Sequence, residues 1–262
     1  MLIWMNKMLA NQISIDEFIQ TLKIVRSDID DQFVDELHQL VKFYQGKTDI
    51  NPIAYLMDRW TNSLETEPDY SVYADKRYLM EAWACWHIYS RVYISNIIKK
   101  MPLINESISL IDLGCGTALT TSYFKASFPD IRVIGTQLKD TDQWNVAAFH
   151  AEIHGFELVE STKDLGFVNI VFASEYFEHF ERPLEHLEEI VADLNPYMLI
   201  TANSFNTVGL GHFKTYRHGN ELIDQKDISK RFNKKLRELG YGRFQDVKFW
   251  NNKPSVWAKD EY

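Results

Sequence analysis

The sequence is short of cysteine, of long apolar runs and of positive charge. Cys85 and Cys115 are the only thiols among 262 residues, so neither a disulfide framework nor an all-thiolate zinc site can be built within one chain. No uncharged apolar stretch approaches the ~20 residues that span a bilayer, and no membrane partner is expected. The opening MLIWMNKMLANQ is broken by Lys7 and lacks a small-residue cleavage pattern, so it does not read as a signal peptide. With 28 Lys and Arg against 37 Asp and Glu the net charge is −9. That sign argues against nonspecific nucleic-acid binding, which rests on cations neutralising phosphates. Internal repeats and low-complexity tracts are also absent. What remains, 45% hydrophobic and 25% charged residues, is the composition of a globular chain able to bury a core without staples. The expectation is a cytoplasmic protein.

Two regions differ in grammar. Residues 1–102 read as helices. Ser14 and Glu17 have capping-box spacing, with Phe18, Leu22 and Val25 on one face. Phe33, Leu37, Leu40, Val41 and Tyr44 mark a second helix that Gly46 stops, and Asn51-Pro52 opens a third. A longer helix is expected from about Ala74 to Lys100, with Tyr78, Trp83, Trp86, Tyr89 and Tyr93 on one stripe. Those aromatics suit a core, and a part of them would roof a ligand pocket if these helices cap the second region.

Residues 103–262 alternate short apolar runs with amphipathic helices. Strands are expected at 109–113, 131–138, 156–159, 169–174 and 197–202, and a last helix carries Ile228, Phe232, Leu236 and Leu239. Such alternation specifies an α/β, doubly wound parallel sheet. FQDVKFW, NNKP and SVWAK then read as a terminal antiparallel β-hairpin.

The strongest motif is LIDLGCGTA, Leu110 to Ala118, where the first strand turns into its helix. Two glycines in such a turn let backbone approach a ligand, and the helix start offers N–H groups to an anion. A dinucleotide turn, G-x-G-x-x-G, would need glycine where Leu119 stands. The other pattern, an acidic residue two before G-x-G-x-G, fits Asp112, Gly114 and Gly116, with Ala118 last.

On these residues the chain resembles the class I S-adenosylmethionine-dependent methyltransferases, from about Leu110 to the C-terminus. The resemblance implies a Rossmann-like seven-stranded sheet and S-adenosylmethionine as cofactor. Asp112, Gly114, Cys115 and Gly116 would surround its methionine part, so Cys115 is not expected to be a nucleophile. Gln137, with Leu138 beside it, holds the place at the end of strand two where the family uses an acid for the ribose hydroxyls; an amide oxygen accepts without the charge-assisted gain. Ser161 and Thr162 fall where the adenine is contacted. NIVFASEYFEHF, Asn169 to Phe180, looks like the family's strand-four ending, which puts Glu175, Glu178 and His179 near the transferred methyl. His179, at ordinary imidazole basicity, is the expected general base, with Glu175 beside it.

Neither an (Asp/Asn)-Pro-Pro-aromatic loop nor a Pro-Cys pair is present, which disfavours methylation of DNA bases. The long segment ANSFNTVGLGHFKTYRHGNE supplies Asn203, His212 and Tyr216 as candidate substrate contacts, with Asn206 and His218 nearby. His212 and His218 alone make a poor metal pair, and no metal is expected. Tyr73 and Arg77 are candidates for the cofactor carboxylate. Between Lys226 and Lys253 nine basic residues face three acidic ones, read as a solvated helix face. The expected function is methyl transfer to a small-molecule acceptor. The alternatives are a non-catalytic or differently reactive S-adenosylmethionine-binding protein, and a tRNA or other nucleic-acid methyltransferase.

Overall fold

The computed structural model describes residues 13–91, 94, 97, 108–244 and 254–259. Its elements start and stop where local chemistry dictates. Helix α1 (Ile15–Val25) carries the complete Ser14/Glu17 capping box. Helix α2 (Asp31–Tyr44) is capped by Asp30, whose carboxylate accepts from Phe33 N–H at 2.8 Å, and Gly46 follows its end at φ +68°. Helix α3 (Ala54–Ser63) begins beyond Pro52, because Asn51 and Pro52 form a turn in which the Asn51 side chain accepts from Ile53 N–H. The expected long aromatic helix is interrupted: a 3₁₀ turn at Tyr70–Ala74 precedes α4 (Tyr78–Cys85), and Trp86–Ser90 winds as a π-helix. Trp83 and Trp86 are buried as expected, while Tyr93 lies outside the described residues.

The strands follow. They are β1 (Ser109–Leu113), then α5 (Leu119–Ser127); β2 (Arg132–Thr136), then α6 (Asp142–His154); β3 (Glu157–Val159); and β4 (Ile170–Ser174), then α7 (Pro183–Leu194). After β5 (Met198–Ala202) the chain forms β6 (Thr215–His218) and β7 (Glu221–Asp224), then α8 (Gln225–Glu238), β8 (Tyr241–Phe244) and β9 (Ser255–Lys259). Seven strands make one sheet in the order β3-β2-β1-β4-β5-β9-β8. β4 pairs in parallel with β1 and β5, whereas β9 runs antiparallel between β5 and β8. The order reverses at β1, and right-handed crossovers on either side of such a reversal wind helices onto both faces. The terminal hairpin is present, but its first described strand starts at Tyr241; residues 245–253, most of the expected FQDVKFW strand and its turn, lie outside the described residues. β6 and β7 form a separate two-stranded sheet where a polar loop was expected. The missed signal is Gly219-Asn220 between TYRH and ELID, a two-residue hairpin turn.

Two compact units emerge, and they do not follow a single boundary at residue 102. One joins residues 1–54 and 73–107 to 115–160; the other joins 55–72 and 108–114 to 161–262. In the first, Arg26 of the α1 end bonds Asp142 at the start of α6, Phe18 stacks on Trp83 at 4.9 Å, and Trp86 meets Tyr123 of α5 edge-on. In the second, the α3 residue Trp60 is fully buried and packs on Phe213 at 5.5 Å. Phe177, Phe205 and Phe232 form an aromatic cluster there. The N-terminal helices are therefore shared between units instead of forming a module of their own. Among the described residues no helix is long and apolar enough to cross a membrane.

Candidate functional site

Strand β1 is buried along its whole length, Asp112 included at 3% exposure, and delivers the chain to a turn of unusual backbone. Gly114, Gly116 and Ala118 have φ of +60°, +57° and +59°, so every second residue is left-handed. Glycine takes that conformation without a Cβ penalty, whereas Ala118 is held there at a cost of roughly 1–2 kcal/mol. The two glycines differ in surroundings. A Cβ on Gly114 would stand 2.5 Å from Cδ2 of Tyr176; one on Gly116 would meet nothing within 4 Å. Gly114 thus admits an aromatic ring, and Gly116 leaves open room over the backbone.

The turn is pinned from below. Cys115 N–H donates to Thr136 O at 2.8 Å, and its Sγ occupies the space that a Cβ on Gly135 would need. His150 of α6 is 2% exposed, and its Nδ1 donates to Thr117 O at 2.8 Å. Burial, aided by neighbouring His154, pushes the His150 pKa down to about 4 against the pull of that hydrogen bond. At the end of β2, Gln137 is half-buried with its backbone N–H on Val159 O at 3.1 Å; Leu138 is 69% exposed. Ser161 is exposed, while Thr162 is buried and donates to Asp193 at 3.0 Å. Arg77 is bound to Glu36, and the Tyr73 carbonyl accepts from Gln143.

A second group gathers at the carboxyl end of β4, beside that of β1, with Leu113 in register with Ala173. Glu175, the first residue past β4, is left-handed at φ +50°, and its N–H reaches Ala202 O at 3.1 Å. This turns the chain sharply into the 3₁₀ segment Phe177–His179. Ser204, just past β5, binds both carboxylates: its Oγ donates to Glu175 Oε1 at 3.0 Å and its N–H to Glu178 Oε1. Glu178 is fully buried. His212 arrives from the segment before β6, with Nε2 3.9 Å from Glu175 Oε2 and its ring 5.0 Å from that of His179. Ligand atoms of Glu175, Glu178 and His212 all lie within 4.8 Å of one another, a spacing compatible with a metal ion. Two ionised carboxylates at that spacing repel by about 3.5 kcal/mol at an effective dielectric near 20.

Several expectations change here. His179 does not keep ordinary basicity: desolvation, with the His212 imidazole beside it, pushes its pKa down to about 3. Tyr216 is fully buried against Phe205, and its hydroxyl donates to the Glu178 carbonyl at 3.4 Å, so it props the β4 ending from beneath. Asn203 is half-buried, and its Oδ1 is a buried atom without a hydrogen-bond partner. His218 stands against Glu185 at 3.2 Å, while His212 joins the Glu175–Glu178 group that sequence reading left without a metal. In α7, His186 has its Nδ1 facing Glu189, and its Nε2 accepts from Tyr176 OH at 2.9 Å, holding the ring that covers Gly114. Ser204 was missed, because half of its part is played by a backbone N–H, which no residue type advertises.

No protein-family model matches the sequence, and no curated protein matches it either. Solved structures do. An O-methyltransferase family protein from Burkholderia thailandensis has TM-score 0.54 at 11% identity, over 79% of this chain and 71% of that one. A ribosomal protein L11 methylase from Lactobacillus delbrueckii subsp. bulgaricus has TM-score 0.42 at 13% identity, over 65% and 79%. A SAM dependent methyltransferase from Aquifex aeolicus has TM-score 0.42 at 13% identity, over 71% and 92%. At 11% identity the likeness to the first of these is one of fold.

Proposed function

We propose that this chain, which has the seven-stranded fold of the class I methyltransferases, transfers a methyl group from S-adenosylmethionine to a small-molecule acceptor. The observation that carries the reading is the open backbone at Gly116, φ +57° with nothing within 4 Å of where a Cβ would stand. It belongs to the turn that follows β1, where the strand order reverses and open α/β sheets bind ligands. Asp112, Gly114, Cys115 and Gly116 would hold the methionine part, Gln137 and Leu138 the ribose, and Ser161 the adenine edge. When bound, S-adenosylmethionine supplies a sulfonium methyl open to in-line attack. The chain's own part is positioning, the main requirement of a displacement of this kind. The Glu175–Glu178–His212 group stands at the end of the strand adjoining β1, ready to orient an acceptor, and His179, held neutral, packs its ring against His212.

A small acceptor is favoured by charge. The basic side of α8 is answered by carboxylates: Lys235 by Glu188 at 2.6 Å, Arg231 by Glu221 at 2.7 Å, Lys230 by Asp227 at 3.0 Å and Lys234 by Glu238 at 3.2 Å. Those cations are engaged within the protein, and the chain as a whole carries −9. The test is calorimetry with S-adenosylmethionine, S-adenosylhomocysteine and NAD. The first two should bind and NAD should not. Gly116→Val should abolish binding in a folded protein, and Gln137→Glu should tighten it through a charge-assisted bond. Unchanged affinity in Gly116→Val would remove the cofactor assignment; binding without turnover on any acceptor would favour the non-catalytic reading.

A further inference from the structure

We propose that Glu175, Glu178 and His212 form a divalent-cation site at the carboxyl ends of β4 and β5, and that the methyl acceptor is an oxygen bound to that cation. The acceptor half of this statement rests on the methyltransferase reading; the cation half does not.

One contact fixes the His212 tautomer. Nδ1 lies 2.9 Å from Thr207 O, and a carbonyl only accepts, so Nδ1 carries the proton. In the neutral ring Nε2 then presents a lone pair, directed toward the Glu175 carboxylate 3.9 Å away. Two electron-rich atoms face each other across a gap too long for a hydrogen bond and suited to an intervening ion. The ring is built into that position. Trp60 Nε1–H donates to the His212 carbonyl at 2.8 Å, His212 N–H reaches Gly209 O at 3.1 Å, and the imidazole packs so close over Gly209 that a Cβ there would sit 3.1 Å from Nε2. A histidine whose second ring nitrogen is tied to a carbonyl is the usual arrangement for a metal ligand, since it fixes both tautomer and direction.

The carboxylates are fixed in the same way. Ser204 Oγ holds Glu175 Oε1 and leaves Oε2 facing His212, while Ser204 N–H holds fully buried Glu178. Left-handed Glu175 is strained backbone, which accumulates at functional sites. Two carboxylates and one imidazole suit Mn²⁺, Mg²⁺ or Co²⁺ better than a soft ion. An octahedral ion held by three protein groups keeps positions for water or for acceptor oxygens. A hydroxyl bound there is acidified. Its proton leaves to solvent, the oxygen forms the new bond to the methyl carbon, and the methyl–sulfur bond breaks with its electron pair remaining on sulfur as the neutral thioether.

The test uses the full chain, stripped with EDTA and titrated with Mn²⁺ by electron paramagnetic resonance. One ion per chain should bind, with an echo-modulation signature of one coordinated imidazole nitrogen. Glu178→Gln and His212→Gln should each weaken binding at least ~10-fold, the latter with loss of the nitrogen signature, and Gly209→Ala should weaken it by displacing the ring. Circular dichroism checks folding; if Glu178→Gln does not fold, Glu175→Gln takes its place. Gly116→Val should bind Mn²⁺ as the parent does. Absent Mn²⁺ binding, or undiminished binding in folded Glu178→Gln and His212→Gln, overturns the cation site and leaves Glu175–His212 as a simple ion pair; intact S-adenosylmethionine binding would then leave the methyltransferase reading standing. Mn²⁺ binding without S-adenosylmethionine binding would keep the cation site and remove the methyltransferase reading, and with it the acceptor half.

Discussion

His150 shows how one buried side chain links the turn after β1 to stability. Its Nδ1–H fixes Thr117 O, and burial lowers its pKa from 6.5 to about 4. Between those values the unfolded chain takes up a proton that the folded chain refuses, so stability is full above pH ~6.5 and falls as pH drops toward 4. The loss from this residue should reach about 3 kcal/mol, from 1.36 kcal/mol per pKa unit. Urea unfolding at pH 7 and pH 4.5 should show it. His150→Gln, which keeps a donor but not the titration, should lose markedly less stability over the same interval. An identical pH dependence in both proteins would mean that His150 is not held neutral.

At the scale of an element, the turn between β1 and α5 is a single device with two kinds of glycine. Ala at Gly116 adds only left-handed strain, roughly 1–2 kcal/mol. Ala at Gly114 adds the same strain and also a clash, since its Cβ would stand 2.5 Å from the Tyr176 ring. Gly114→Ala should therefore destabilise by more than Gly116→Ala, and replacing Tyr176 by Ala should recover the difference but not the shared part. A double-mutant cycle in urea measures both; strict additivity of Gly114→Ala and Tyr176→Ala would rule out the steric account. The β6–β7 hairpin is a second device of this kind. Its turn at Gly219 and Asn220 folds Tyr216 back beneath the Glu178 carbonyl.

For the whole molecule, the net charge weighs against a polyanionic partner. Neutralising phosphates with Lys and Arg gives affinity that falls steeply with salt. Here the net charge is −9, and α8 pairs four of its six cations with carboxylates. Mixed tRNA should therefore give no gel retardation at micromolar protein in 150 mM salt. Tight, salt-sensitive retardation would transfer the proposal to a nucleic-acid acceptor.

Whatever near neighbours carry could be read along the chain. The Ser14/Glu17 box, the Asp112–Ala118 turn, the alternation of strands and helices and the antiparallel ending are set by caps, glycines and periodicity within a few residues, so they are legible without a fold. The rest came from packing in three dimensions. His212 meets Glu175 because Trp60, 152 residues earlier, holds the His212 carbonyl. Ser204 binds two carboxylates because β4 and β5 end side by side. His179 loses its basicity because it is desolvated, half-buried, next to another imidazole. Each of these depends on which groups are desolvated together, and desolvation is a property of packing between distant segments, to which no local spacing gives access.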